Sequence, residues 1–157
     1  MSKVIYFLAP HEPMFGVLSN WSSHGITDNG LWHVTMEHYF MYKKAMLMGD
    51  ISTARQILLV RTPREAKQLG RQVTNWNEAR WVAEREGIVL HGLYLKASQH
   101  PDVARTLHSS GTAILAEANR YDRIWGIGCG PNEKSPETWP GLNLLGKLWM
   151  QVRDSLG

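Results

Sequence analysis

The sequence holds one cysteine in 157 residues, which excludes a disulfide framework and any zinc site built from thiolates. It has no apolar run near the roughly 18–20 residues that cross a bilayer. The N-terminal apolar stretch, Val4 to Ala9 with one lysine ahead of it, is too short for a secretory core of roughly 7–15 residues. A reducing, cytoplasmic setting is therefore the expectation. Repeats and low-complexity segments are missing, which argues against a solenoid or a disordered chain. A strong charge of one sign is missing too: 17 Lys and Arg against 14 Asp and Glu leave a formal +3. That balance permits a phosphate-bearing ligand without calling for a duplex-binding groove.

What is present fits one ordinary domain over residues 1–157. Hydrophobic residues make up 43% and charged residues 20%, enough apolar surface for a core without staples. The unusual count is tryptophan, 7 against 3 Phe and 5 Tyr. Some of these rings are expected to line a site that stacks a planar ligand.

The pattern along the chain predicts an α+β fold, mostly α-helical with a few short strands. Val4 to Ala9 reads as a strand and Leu31 to Val34 as a second, with Pro10, Pro13, Gly16, Gly25, Asn29 and Gly30 punctuating loops around them. Helices are predicted from Thr35 to Met48, from Ile51 to Val60, and from the Thr62-Pro63-Arg64-Glu65 capping signature to Gly70. A long helix follows over about Glu78 to Ser98, with Trp81, Ile88 and Leu95 on one face. A short helix starts at Pro101-Asp102 and ends near Leu107, and Ala113 to Ala116 reads as a short strand. Tyr121 to Pro140 reads as loop. Leu145, Leu148, Trp149 and Val152 mark the core face of a last helix over Asn143 to Ser155. No alternation of strand and helix points to a dinucleotide-binding sheet.

Within the first helix, Glu37 and Lys44 are seven residues apart and share a face, about 10.5 Å apart along the axis. A carboxylate and an amine so placed can serve one ligand from two ends, and a buried lysine can become a nucleophilic amine. A solvated pair on an ordinary amphipathic helix would show the same spacing. His33 and His38 with Glu37 miss the spacing of a zinc-binding helix by one residue, so no metal is expected there and His38 reads as structural. Gly126-Ile127-Gly128-Cys129-Gly130 is glycine-rich but opens no helix and is not a dinucleotide fingerprint. Asp122 and Trp125 stand just ahead of it, placing an acid, an indole and a permissive backbone close together. Arg71, behind Gly70, can pair with a phosphate or carboxylate, or simply complement a helix C-terminus.

These pieces, in order, resemble the NADAR family, also called the YbiA-like family. The matching stretches are Leu18-Ser19-Asn20-Trp21, then Glu37-His38-Tyr39-Phe40 with Lys44, then Gly70-Arg71, then Trp81 with Lys96. Ile114-Leu115-Ala116-Glu117 and Asp122 with Trp125, Gly126 and Gly128 follow, and the run from Gly141 to Met150 with Arg153 closes the chain. Two points depart from the family pattern. Trp21 stands where the family usually has Phe, and the loop from Ile127 to Trp139 has no clear counterpart.

The resemblance implies an N-glycosidase acting on ribose joined through C1 to an amine nitrogen, with no cofactor and no metal. Two substrate types come with it: ADP-ribose on the amino group of guanine in nucleic acid, and phosphoribosylamino-pyrimidine intermediates of riboflavin synthesis. It implies Glu37, Lys44 and Asp122 as catalytic groups. Around the substrate it implies Asn20, Tyr39, Arg71, Trp81, Glu117, Trp125, Gly126, Gly128 and Asn143. Cleavage could run through an oxocarbenium-like state flanked by carboxylates or through a ring-opened imine exchanged onto Lys44. Two other readings stay open at this point: a non-catalytic module for ADP-ribose or NAD, and a nucleic-acid-binding protein without chemistry.

Overall fold

The computed structural model describes residues 2–157. Strand β1 (Val4–Phe7) is followed by a short 3-10 turn at Phe15–Leu18 and a hairpin of β2 (Ile26–Asp28) and β3 (Leu31–His33). Five helices come next: α1 (Met36–Leu47), α2 (Ile51–Leu59), α3 (Pro63–Gly70), α4 (Glu78–Gln99) and α5 (Pro101–Ser109). Strand β4 (Ile114–Glu117) and helix α6 (Leu144–Ser155) complete the order, with a 3-10 turn at Pro136–Thr138 between them. This is the predicted α+β class with helices dominant.

The helix starts follow the capping logic of the sequence. Thr35 Oγ1 accepts from His38 N at 3.3 Å, Asp50 Oδ1 from Thr53 N at 3.1 Å, and Thr62 Oγ1 from Glu65 N at 3.2 Å. The Thr62 hydroxyl also donates to Glu65 Oε1 at 2.8 Å. In the β2–β3 hairpin, Asn29 and Gly30 both have positive φ, 50° and 79°, the primed turn that matches strand twist.

Four details differ from the sequence reading. The first strand stops at Phe7, because the Glu12 carboxylate takes the Leu8 and Ala9 N–H groups at 2.7 and 2.6 Å and turns the chain away. Ile26–Asp28 is a strand the turn residues concealed, since it is three residues long. The Ala113–Ala116 segment is shifted by one, and pairs with β1 as a parallel strand, Val4 opposite Ile114 and Phe7 opposite Glu117. On α4 the fully buried residues include Val89, Leu93, Lys96 and Ala97, while Ile88 and Leu95 are only half-buried. The seven-residue spacing tracked one edge of the buried stripe rather than its centre.

The core lies where α4 packs between α1 and α6, and where α6 packs on β4. Trp149, Leu145, Leu148 and Val152 are buried there, together with Leu93, Val89, Tyr39, Phe7 and Leu115. Trp149 Nε1 donates to Leu18 O at 2.9 Å, so the last helix pins the 3-10 turn at Phe15–Leu18. Gly70 closes the α1–α3 contact: a Cβ there would meet Met41 Sδ at 2.0 Å. Among the described residues, no helix is long and apolar enough to cross a membrane.

Candidate active site

The chain turns away from β1 at Leu8, and the Ser19–Trp21 segment, α1, α3, α4 and the end of β4 close around a cavity of about 470 Å³, well within the size range of small-molecule sites. Glu37, Lys44, Asp122, Asn20, Arg71, Trp81, Glu117 and Trp125 all line it, although they come from six separate parts of the chain. Lys67, Trp21, Asn119, Phe40 and Met41 line it as well.

Four of the expected substrate contacts lie elsewhere. Tyr39 is buried in the core and donates its hydroxyl to Ile88 O at 2.7 Å; the α1 period that brings Glu37 and Lys44 to the cavity turns Tyr39 away from it. Asn143 is buried, taking Glu117 N at 3.1 Å and donating to Leu115 O at 2.9 Å. It staples α6 to β4 and fixes the Glu117 backbone instead of meeting a ligand. Gly126 and Gly128 also do not line the cavity. Gly126 permits close backbone approach, since a Cβ there would sit 2.9 Å from Asp122 O and 3.1 Å from Glu117 O. Gly128 has φ +76° and donates to Asn119 O at 3.1 Å, holding the loop against the end of β4.

Burial sets the electrostatics. Glu37 is buried, and desolvation pushes its carboxyl up to about 7, against the pull of the Lys67 ammonium, a polar contact from the Trp21 indole and the Lys44 ammonium. Glu117 is pushed up further, to about 8, by desolvation first and then by the negative charges of Asp122 and Glu37. Its Oε2 is buried with no hydrogen-bond partner, and so is Asn20 Oδ1. Unsatisfied buried oxygens aimed into a cavity are the groups a ligand's donors would complete. Lys44 is held below the usual lysine range by desolvation, opposed by Glu37 and reinforced by Arg71. Asp122 spends Oδ1 on the N–H groups of Ile124 and Trp125, at 2.9 and 2.8 Å, which orients its carboxylate and positions the Trp125 ring.

The tryptophans divide by role. Trp81 stacks on Phe40 at 5.5 Å and carries the Lys44 ammonium over its ring at 5.8 Å. It is 7% exposed, so little ring surface remains for a base, and its geometry is that of a platform for Lys44. Trp76, ahead of α4, is exposed and lies under Lys44 Nζ at 4.9 Å. Trp125, half-buried and edge-on to Phe40 at 5.2 Å, and Trp21, with Lys67 Nζ 6.0 Å above its ring, keep surface toward the cavity. Trp139 packs on Tyr6 and Trp32 is exposed, both away from the cavity. Sequence reasoning missed Lys67 and Asn119. Lys67 was visible one helical turn before Arg71 on α3, the spacing that puts two cations on one face. The structural reading of His38 fits its contacts: it meets Thr35 Oγ1 at 2.8 Å and Val60 O at 3.0 Å.

A cavity that joins a half-buried amine, two carboxyls pushed up toward neutral pH and exposed cations has the groups that acid–base and nucleophilic chemistry needs. The chain belongs to the NADAR family: the NADAR domain matches residues 6–157. It is 39% identical over 125 residues to N-glycosidase R617 of Acanthamoeba polyphaga mimivirus, covering 78% of this chain and 74% of that one. It is 30% identical over 155 residues to the chloroplastic riboflavin biosynthesis protein PYRR of Zea mays, covering 91% of this chain and 24% of that one. The NMR structure of the E. coli protein YbiA superposes with a TM-score of 0.82 at 27% identity, over 99% of this chain and 86% of that one. The class is thus that of hydrolases acting on N-glycosyl bonds.

Proposed function

We propose that this chain cleaves the bond between C1 of a phosphate-bearing ribose and the exocyclic amine of a base. The substrate is either ADP-ribose on guanine in nucleic acid or a phosphoribosylamino-pyrimidine. The observation that carries the reading is the shared wall of Lys44, Glu37 and Glu117: an amine made more nucleophilic by burial, beside carboxyls held near neutral pKa.

In this reading Lys67 and Arg71 at the rim meet the phosphate, Arg71 through its two-pronged guanidinium. Trp125 and Trp21 flank the base, while Asp122 and Asn20 take ribose hydroxyls. The reaction begins when the ribose ring opens, O4 taking a proton and C1 forming an imine with the base nitrogen. Neutral Lys44 Nζ adds to C1. The base nitrogen takes a proton from Glu37 and leaves as the free amine, so the C1–base bond breaks as the C1–Lys44 imine forms. Water deprotonated by Glu37 then adds to that imine, and Lys44 departs, leaving the sugar aldehyde. Glu37 gives one proton and takes one back. A carboxyl with a pKa of about 7 is suited to both steps at neutral pH. Glu117, orphaned at Oε2, is the acceptor for a ribose hydroxyl or the attacking water.

The test offers ADP-ribosyl-guanine oligonucleotide and a phosphoribosylamino-pyrimidine to the same preparation, with and without borohydride. Release of ADP-ribose or ribose 5-phosphate names the substrate. A reduced adduct on Lys44 supports the imine route, and turnover without trapping would leave the oxocarbenium route in its place. Binding of ADP-ribose with no release from either substrate would overturn the enzyme reading in favour of a non-catalytic module.

A further inference from the structure

Immediately past the cavity wall formed by Ser19, Asn20 and Trp21, the chain passes through Ser22 to His24 and Gly25. There it meets the junction of α4 and α5. Three donors converge: His24, His100 and Asp102 bring one ligand atom each to within 4.8 Å of one another. None of the three lines the cavity. The His24 and His100 rings stand edge to face, 4.9 Å apart at 87°.

The hydrogen bonds around the two rings set their lone pairs. His100 Nε2 lies 2.5 Å from Gly25 O. A carbonyl only accepts, so Nε2 carries the proton and the Nδ1 lone pair is available. Ser22 Oγ accepts from Lys96 Nζ at 2.7 Å and donates to Val17 O at 3.2 Å. With that hydrogen committed, its 3.0 Å contact with His24 needs the proton on His24 Nδ1. The lone pair of His24 Nε2 then faces Asp102 Oδ2 at 2.6 Å. A nitrogen lone pair and a carboxylate oxygen at that distance share a proton, which a metal ion would displace as Asp102 draws back. Each imidazole thus has one ring N–H held by an oxygen, the kind of support that orients metal-ligating histidines, and one ring nitrogen of each lies in the cluster with Asp102. The same residues spell an acid–imidazole–hydroxyl order, but Ser22 is 3% exposed and its oxygen is held by Lys96, so no substrate reaches it.

We propose that His24, His100 and Asp102 form a three-ligand site for a divalent transition-metal ion, zinc by its donor set, which clasps the loop behind the cavity wall to the α4–α5 junction. Two imidazoles and one carboxylate with a fourth position for water match zinc chemistry, at bonds of about 2.0–2.1 Å. The donors reach tetrahedral spacing by rotation of the Asp102 side chain, which is 49% exposed. The α5 N-terminus and the Lys96 ammonium favour an anion here. Asp102 supplies that charge, and the neutral imidazoles add none. Bound metal would tie Ser22–Gly25 to two helices and so stiffen the wall that carries Asn20 and Trp21, whatever reaction the cavity performs.

The test takes chelator-treated full-length protein and titrates it with Zn²⁺ by calorimetry and with Co²⁺ by visible absorption, followed by thermal melts with and without Zn²⁺. One saturable site, a tetrahedral Co²⁺ spectrum and a higher Tm with Zn²⁺ are expected. Asp102→Asn removes the anionic ligand from an exposed position, and His100→Gln keeps a donor for Gly25 O but no ring nitrogen. Each should weaken binding by at least about tenfold and erase the Tm gain. No saturable binding in the unmodified chain would overturn the site. Equal affinity in Asp102→Asn would also do so, and that conservative surface change decides the matter if His100→Gln fails to fold.

Discussion

Asp50 and Glu117 are both carboxylates withdrawn from water, and they sit in opposite surroundings. Asp50, at the start of α2, is saturated: Oδ1 takes Thr53 N, and Oδ2 takes Thr53 Oγ1, Thr74 N and Thr74 Oγ1, all between 2.7 and 3.1 Å. Those donors, led by the Thr74 N–H, hold its carboxyl well below the usual range. Glu117 has a buried oxygen with no partner, and its carboxyl is pushed up to about 8. One carboxylate has been given every donor it needs, while the other has been denied them beside an open cavity. The lysines repeat the contrast. Lys96 is fully buried and donates to Ser19 O at 2.8 Å and Ser22 Oγ at 2.7 Å, while Lys44 has indole faces and the cavity for company. Where polar groups are complete, they build the fold; where they are left incomplete together, they build the site.

The hardest blow to that division is Lys44→Met. If the incomplete groups carry the chemistry, turnover falls by about 10³-fold or more while the melting temperature holds or rises, measured by product release and calorimetry on the same sample. Near-normal turnover would dissolve the distinction. On the other side stands Trp149, fully buried with its indole N–H on Leu18 O. Trp149→Ala should cost about 3–5 kcal/mol in denaturant unfolding, and the protein that remains folded should keep its kcat. Asp50→Asn should lower stability at neutral pH and leave turnover per folded molecule intact. Its native carboxyl is depressed below the ordinary 3.8, so its contribution is present above that pH and fades as pH falls beneath it. The variant's deficit should therefore shrink in acid.

Much of the saturated half of the molecule was legible. Thr35, Asp50 and Thr62 announce helix starts because capping is local: the side chain and its acceptor N–H lie three residues apart. The stripe of Leu145, Leu148, Trp149 and Val152 announces a buried face because helical period is local too. The cavity was legible only in part. Glu37 and Lys44 share a helix, so their common face could be counted, but Tyr39, two residues from Glu37, could not be told from a ligand contact by its neighbours alone. Asn143 is expected at the substrate through the family resemblance alone. Its true partners, Leu115 and Glu117, are 28 and 26 residues away and belong to a parallel strand pair that no local signal records. The raised carboxyls were out of reach for the same reason, since desolvation is a property of the assembled fold.

The gentlest test concerns what incompleteness costs the fold. With a native pKa of about 8 against an ordinary 4.5, Glu117 keeps its proton in the folded state after the unfolded chain has lost it. Below about pH 4.5 both states are protonated and the native state keeps its full advantage. As pH climbs toward 8, the unfolded state gains by ionising and stability drains away. Glu117→Gln cannot ionise, so its stability curve should be flatter over that window and should cross above the unmodified protein in mild alkali. A gain on the order of 2 kcal/mol at pH 9 is expected, allowing for screening at a half-buried group. Denaturant titrations at pH 5, 7 and 9 measure it. A gain at pH 9 that vanishes at pH 5, together with lost turnover, would place the strain and the chemistry on the same atom. A loss at every pH would mean that Glu117 is held by partners as Asp50 is, and that the two carboxylates do not differ in kind.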